Sequence, residues 1–260
     1  MMTRVQSIDR RGVEAPPRRR ANPQWRPARF ASLIFEELGH RIIGGTLADG
    51  DVLPTEPALC EEFGFSRTVV REGLKLLEGR GLVRVEQGRG TTVQPRSSWD
   101  LLDPDVLRIA LEYDHDMSLL DGLMMVRRVL EREMAVAAVG RLTDGDLAEL
   151  RDLIAEMEGA FDDYERFRTI DNAFHAVIMR ASGNEIGLTI VRVIHRYGGA
   201  TPPLAATPAS KAALKRTTAE HRAILEALAS GDGDLAGERI SAHIESRWVE
   251  RKTRRRTPSA

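Results

Sequence analysis

Four side chains in the C-terminal half of this sequence are of types that hold metal ions. Asp171 and His175 stand at i and i+4 in "IDNAFHAVI", so a helix would stack them on one face. Phe167, Phe174 and Ile178 share that face and turn it inward. His221 in "AEHRAILEAL" lies on the side of Leu225 and Leu228, and His243 in "AGERISAHIESR" lies in line with Ile240 and Ala236. A Gly-Asp-Gly turn between them sets the two histidines on neighbouring helices. Three imidazoles and a carboxylate suit a borderline divalent cation such as Zn²⁺, Ni²⁺ or Mn²⁺, with positions left open for water or a carboxylate. Taken singly, each residue has a plainer explanation. An inward histidine is usually a satisfied core residue, and Asp171 can be partnered by an arginine. His40, His115 and His195 lack such spacing and read as structural, with His195 able to line a pocket.

A second constellation lies in "FSRTVVREGLKLLEGRG", Phe65 to Gly81. Ser66 is placed to cap a helix whose first turns carry Arg67, Thr68 and Arg71. The two arginines are four apart and share a face, while Val70, Leu74 and Leu77 form a different stripe that can pack inward. A helix fits the major groove of DNA, where its N-terminal turn reaches base edges. Ser66 can also reach a phosphate. The Gln87-Gly88-Arg89-Gly90 tip beyond it combines little bulk with one cation, as close approach to a sugar-phosphate backbone requires. The bland alternative is a helical hairpin with solvated arginines.

The elements that must position these groups follow from periodicity. Leu33, Ile34, Leu38, Ile42 and Ile43 predict a helix from about Phe30 to Gly44-Gly45. Thr55 caps a second helix that buries Leu59 and Phe63 and stops at Gly64. After the third helix, "LVRVEQGRGTTV" changes to the period of a β-hairpin. Helix, helix, capped helix and hairpin make a winged helix-turn-helix over 30–95. The prolines and arginines of 1–29 predict a disordered basic arm. Residues 96–117 read as a linker and linking helix, 118–250 as an all-α bundle, and 251–260 as a basic tail. The fold class is mainly α.

Bulk properties set the remaining bounds. The 260 residues suffice for two domains, and 30% charged residues with few aromatics describe a soluble, helix-rich chain. A net charge of -1 excludes a wholly basic coat, although arginines crowd both termini. Cys60 stands alone, so no internal disulfide forms. No apolar run approaches the ~20 residues that span a bilayer, and no secretory leader opens the chain. These features predict a cytoplasmic protein without a membrane partner.

"LPTEPALCEEFGFSRTVVREGLKLLEGRGLVRVEQGRGTTV" resembles the winged-helix domain of the GntR family of bacterial transcription regulators. "VRRVLEREMAVAAV", "DNAFHAVIMRASGN", "EHRAILEAL" and "GDLAGERISAHI" resemble the FCD effector domain of its FadR-like subfamily. The resemblance implies operator contacts from Arg67, Thr68 and Arg71, supported by Ser66, Gln87 and Gly88; Arg89 joins them as the cation of the hairpin tip. Pro57 stands where members commonly carry a basic residue. It further implies a metal held by Asp171, His175, His221 and His243. An organic-acid effector would place its carboxylate on that metal, with Arg127 closing the other side. Arg127 also stands four residues before Glu131, where a simple helix ion pair is the alternative. "WDLLDPDVL" resembles members that respond to sugar acids. The resulting expectation is a homodimeric repressor of a palindromic operator, released by a small hydroxy- or sugar acid. A metal-dependent enzyme built on a His₃Asp centre and a constitutive architectural DNA-binding protein are the alternatives.

Overall fold

A computed structural model describes residues 25–86, 88–198 and 209–256, which form ten α-helices and one two-stranded hairpin. The first helix, α1 (Trp25–Ile43), begins five residues ahead of the sequence expectation, so 25–29 belong to it rather than to an arm. Pro27 lies in its first turn, where a missing N–H breaks no hydrogen bond. Residues 1–24 and 257–260 lie outside the described residues. Ala31, Ile34, Phe35, Leu38 and Ile42 make the buried stripe of α1. Leu33, expected on that stripe, is 51% exposed because it falls one residue off the face that Ala31 and Phe35 complete.

Thr55 caps α2 (Glu56–Phe63) through its side chain, and Gly64 ends it in the left-handed region. Ser66 has capping backbone geometry ahead of α3 (Arg67–Gly79), but its hydroxyl makes no cap hydrogen bond. Val69, Val70, Leu74 and Leu77 of α3 are buried against α1. Gly73 permits that contact, since a Cβ there would stand 2.7 Å from Ile34. Strands β1 (Val83–Glu86) and β2 (Gly90–Val93) pair antiparallel with Val83 opposite Val93. Gly88 turns the tip at φ +81, a conformation that side chains with a Cβ rarely adopt.

The stretch after the wing is packed rather than loose. A 3₁₀ turn at Arg96–Ser98 leads to Trp99, whose Nε1 donates to the Gln94 carbonyl at 3.0 Å. Asp103 caps α4 (Pro104–Glu112) and pairs with Arg80 at 2.9 Å. Two apolar clusters meet on this helix. Val106 and Ile109 belong to the core of the winged module. Leu107 and Leu111 join Leu120, Met124 and Ile194 in a separate cluster. Arg108 ties α4 to Glu36 of α1.

The bundle comprises α5 (Ser118–Ala138), α6 (Asp144–Glu158), α7 (Tyr164–Ala181), α8 (Glu185–Gly198), α9 (Lys211–Ser230) and α10 (Gly233–Arg256). Thr143 and Asp146 form a reciprocal capping box at the head of α6, and Asp163 and Ser210 cap α7 and α9. Gly231, at φ +80, closes α9 and reverses the chain into α10. That last helix runs to Arg256, through most of the stretch read as a tail. The bundle core is built around Phe167, Phe174, Ile178, Ile224 and Ile240.

Candidate metal centre and nucleic-acid interface

The four residues singled out by spacing meet inside the bundle. Asp171 and His175 come from α7, His221 from α9 and His243 from α10, and one ligand atom from each lies within 4.8 Å of the others. His175 and His221 have no side-chain exposure, while Asp171 retains 20% and opens on a cavity. The apolar residues of α7 explain the burial: Phe174 is fully enclosed and its ring packs against that of His221.

Each histidine is oriented from behind through Nδ1. The partner is Glu131 Oε2 for His175 at 2.5 Å, the Thr217 carbonyl for His221 at 2.8 Å, and Glu220 Oε2 for His243 at 2.7 Å. With Nδ1 donating outward, Nε2 keeps its lone pair, as in metal sites whose ligands are fixed by a second shell. Nε2 of His175 and of His221 are buried and have no hydrogen-bond partner. Asp171 Oδ1 comes within 3.3 Å of His221 Nε2 without hydrogen-bond alignment. Orphaned buried polar atoms are costly unless something binds them. The donor set therefore fits a divalent cation, which at Zn–N distances of about 2.0–2.1 Å gathers its ligands into one such cluster.

The charge states agree with that fit. Burial pushes His243 down to about 3 and holds His221 well below its ordinary value, the neighbouring histidines adding to the effect. Burial likewise pushes His195 down to about 4. Burial opposes ionisation of Asp171, but the surrounding histidines hold it below the usual carboxylate range. At neutral pH His221 and His243 thus offer neutral imidazoles and Asp171 a carboxylate. Between these lowered values and about 6.5, the unfolded chain binds more protons than the folded one, so stability rises with pH. Chelator-treated protein should accordingly melt at lower temperature as pH falls from about 6.5 toward 4, each ring contributing at most about 1.4 kcal/mol per pH unit. A flat melting profile across that window would contradict neutral buried rings.

Glu131 is the residue that spacing did not single out as a hub. It is fully buried on α5 and bridges three groups. Oε1 accepts from Arg127 Nε at 2.7 Å and from His195 Nε2 at 2.9 Å, and Oε2 faces His175. Burial would raise its carboxyl, yet the Arg127 guanidinium and His175 hold it well below the ordinary range. The helix ion pair anticipated for Arg127 is formed, and Arg127 Nη2 remains buried without a partner beside the cavity. Arg127, Asp171, His195 and His243 all line that cavity, so His195 is a wall residue and not merely a structural one. Glu131→Gln should weaken metal affinity about 10–100-fold, the usual cost of losing a second-shell partner; competition with a fluorescent chelator measures it, and an unchanged affinity would refute the hub role.

On the winged module, Ser66, Arg67, Thr68, Arg71, Gly88 and Arg89 are all exposed, on the first turns of α3 and at the hairpin tip. Arg67 has no ion-pair partner among the described residues. Arg71 is engaged: its Nε lies 2.8 and 2.9 Å from the Glu56 carboxylate. Arg89 is 82% exposed, 3.8 Å from Glu86. Gln87 lies outside the described residues. Pro57 occupies the first turn of α2 and is exposed.

Comparison with known proteins gives these two sites a setting. Residues 30–93 match the family described as bacterial regulatory proteins, gntR family, and residues 122–246 match the FCD domain. The galactonate operon transcriptional repressor of Escherichia coli K12 is 32% identical over 213 residues, covering 82% of this chain and 93% of that protein. The chain belongs to the GntR family. A second GntR relative, the HTH-type transcriptional regulator LutR of Bacillus subtilis, is 30% identical over 212 residues, 78% of this chain and 92% of its own. A solved structure of Lar, which controls expression of the Listeria monocytogenes agr system, matches at 19% identity with a TM-score of 0.54. It covers 86% of this chain and 96% of that one, and it speaks to the fold alone.

A GntR protein with an FCD domain is a DNA-binding transcription regulator, and its partner is operator DNA. The metal-dependent enzyme considered from the His₃Asp set is thereby set aside, because the relatives are regulators. No helix among the described residues is long and apolar enough to cross a membrane.

Proposed function

We propose that this GntR regulator is a homodimeric repressor of a palindromic operator and is released by a small hydroxy- or sugar acid bound at a metal-containing cavity. One observation carries the reading: His175 and His221 hold buried, unpartnered Nε2 atoms in one cluster with Asp171 and His243, and those two line a cavity with Arg127, whose Nη2 is also buried and unpartnered. A purely architectural bundle has no use for these costly groups. Zn²⁺ suits the nitrogen-rich donors best, with Ni²⁺ or Mn²⁺ acceptable. Bound there, the ion would supply a Lewis-acidic contact for a carboxylate. Arg127, held by Glu131, would present its free Nη2 to the same acid. The galactonate operon relative supports a sugar acid as the class.

Arg67, Thr68 and Arg71 would enter the major groove, with Ser66 and the wing residues Gln87, Gly88 and Arg89 on the backbone. Phosphate would displace Glu56 from Arg71, since an exposed ion pair of this kind is weak. One module covers too short a half-site for tight binding, and a two-fold dimer doubles the contacts. The acting compartment is the cytoplasm, where operator DNA is.

Control would run through α4. Met124 and Ile194 line the cavity and also pack on Leu107 and Leu111, while Val106 and Ile109 on the same helix pack into the winged module. A ligand that shifts α5 or α8 would thus move α4 against α1. It acts as an inducer only if it prefers the DNA-incompetent arrangement. A coupling of ~1–3 kcal/mol changes operator affinity about 5–150-fold. Gel shift of the promoter beside its own gene against a panel of sugar and hydroxy acids tests the proposal. Release by one acid is expected; a bound complex indifferent to every acid, with metal present, would refute it.

A further inference from the structure

The cavity carries more positive charge than one carboxylate uses. Among the described residues four arginines line it, Arg127, Arg168, Arg247 and Arg251, against a single carboxylate, Asp171, which belongs to the metal cluster. Arg127 stands at the metal end, held by Glu131. The other three stand on the two helices that carry Asp171 and His243. Arg168 is three residues before Asp171 on α7, and Arg247 and Arg251 are four and eight residues beyond His243 on α10. At 1.5 Å per residue these offsets are about 4.5, 6 and 12 Å along their helices.

Arg168 and Arg247 are held by ion pairs that a ligand can replace. Arg168 pairs with Glu165, whose side chain is 72% exposed, and Arg247 reaches Glu250 at 3.5 Å. Arg251 Nη2 donates to the Tyr164 hydroxyl at 3.4 Å. Surface pairs spaced i, i+3 contribute little and yield readily to a better anion. Asn172 and Trp248 also line the cavity, and neither carries charge.

Resting on the acid-binding reading above, we infer that the effector carries two anionic groups, one toward the metal cluster and a second held by Arg168 and Arg247. Guanidinium forks bind carboxylate and phosphate through paired, charge-assisted hydrogen bonds. A neutral far end would leave Arg168 and Arg247 with only their pairs to Glu165 and Glu250, and no anion inside the cavity. The ligand class is a hydroxylated acid whose far end is a second carboxylate or a phosphate.

Calorimetric titration of the full-length, metal-loaded protein with gluconate, glucarate and 6-phosphogluconate tests this. At least one of the two doubly acidic ligands should bind about tenfold or more tighter than gluconate, a difference of about 1.4 kcal/mol. The better of the two identifies the second group as carboxylate or phosphate. In Arg168→Gln and Arg247→Gln the affinity ratio should fall toward one. The two arginines lie on different helices, so if one variant fails to fold the other decides. Gluconate binding as tightly as both doubly acidic ligands would overturn the second subsite, as would a ratio that survives both substitutions. Failure of all three acids to bind would instead overturn the acid-sensing reading beneath it.

Discussion

His221→Ala is expected to abolish metal retention and, with it, the response to any acid. The imidazole is fully buried, its Nδ1 is fixed by the Thr217 carbonyl, and its Nε2 has no partner but the cluster. Loss of a second-shell partner alone costs about 10–100-fold in metal affinity, and loss of a donor atom should exceed that. The consequence is visible without DNA. A ligand that binds only the folded state raises stability by RT ln(1 + [L]/Kd), about 2.7 kcal/mol at one hundred times Kd. Adding Zn²⁺ should therefore raise the melting temperature of the wild type and leave that of His221→Ala unmoved. Elemental analysis should find metal in the first and none in the second. Equal metal content in both would remove His221 from the site.

Arg67→Ala is expected to weaken operator binding by ~1–3 kcal/mol per half-site and to blur preference at one base pair. Arg67 opens α3 with an exposed guanidinium that has no ion-pair partner among the described residues, at the turn proposed to enter the groove first. Arg71→Ala should cost less, because freeing Arg71 requires breaking its hydrogen bonds to Glu56. Quantitative footprinting on matched and single-mismatch operators distinguishes the outcomes. A uniform loss across all sequences would make Arg67 a phosphate contact rather than a reader, and no loss would exclude it from the interface.

The winged module was legible because its punctuation is local. Thr55 and Gly64 bracket α2, Ser66 opens α3, and the change of period after Gly81 marks the hairpin. The metal cluster was legible for a related reason: Asp171 and His175 share a helical face with Phe167 and Phe174, which fixes that face inward. What escaped depends on contacts between distant segments. Glu131 looked like half of an i, i+4 pair, and its hub role exists only where α5, α7 and α8 meet. Glu220 lies beside His221 in sequence yet orients His243 across a helix boundary. The start of 96–117 reads as a linker by sequence, but Trp99 and Leu101 pack on the winged core and Asp103 pairs with Arg80. The start of α1 was masked by arginines and Pro27, which a first helical turn accepts.

A four-way titration tests control of DNA reading by the cavity most directly. Operator affinity of the full-length protein is measured by fluorescence anisotropy at fixed ionic strength, with and without the responsive acid and with and without chelator. The acid should weaken binding about 5–150-fold in the presence of metal and leave it unchanged once the metal is removed. An acid effect of equal size in the chelated protein would contradict the account.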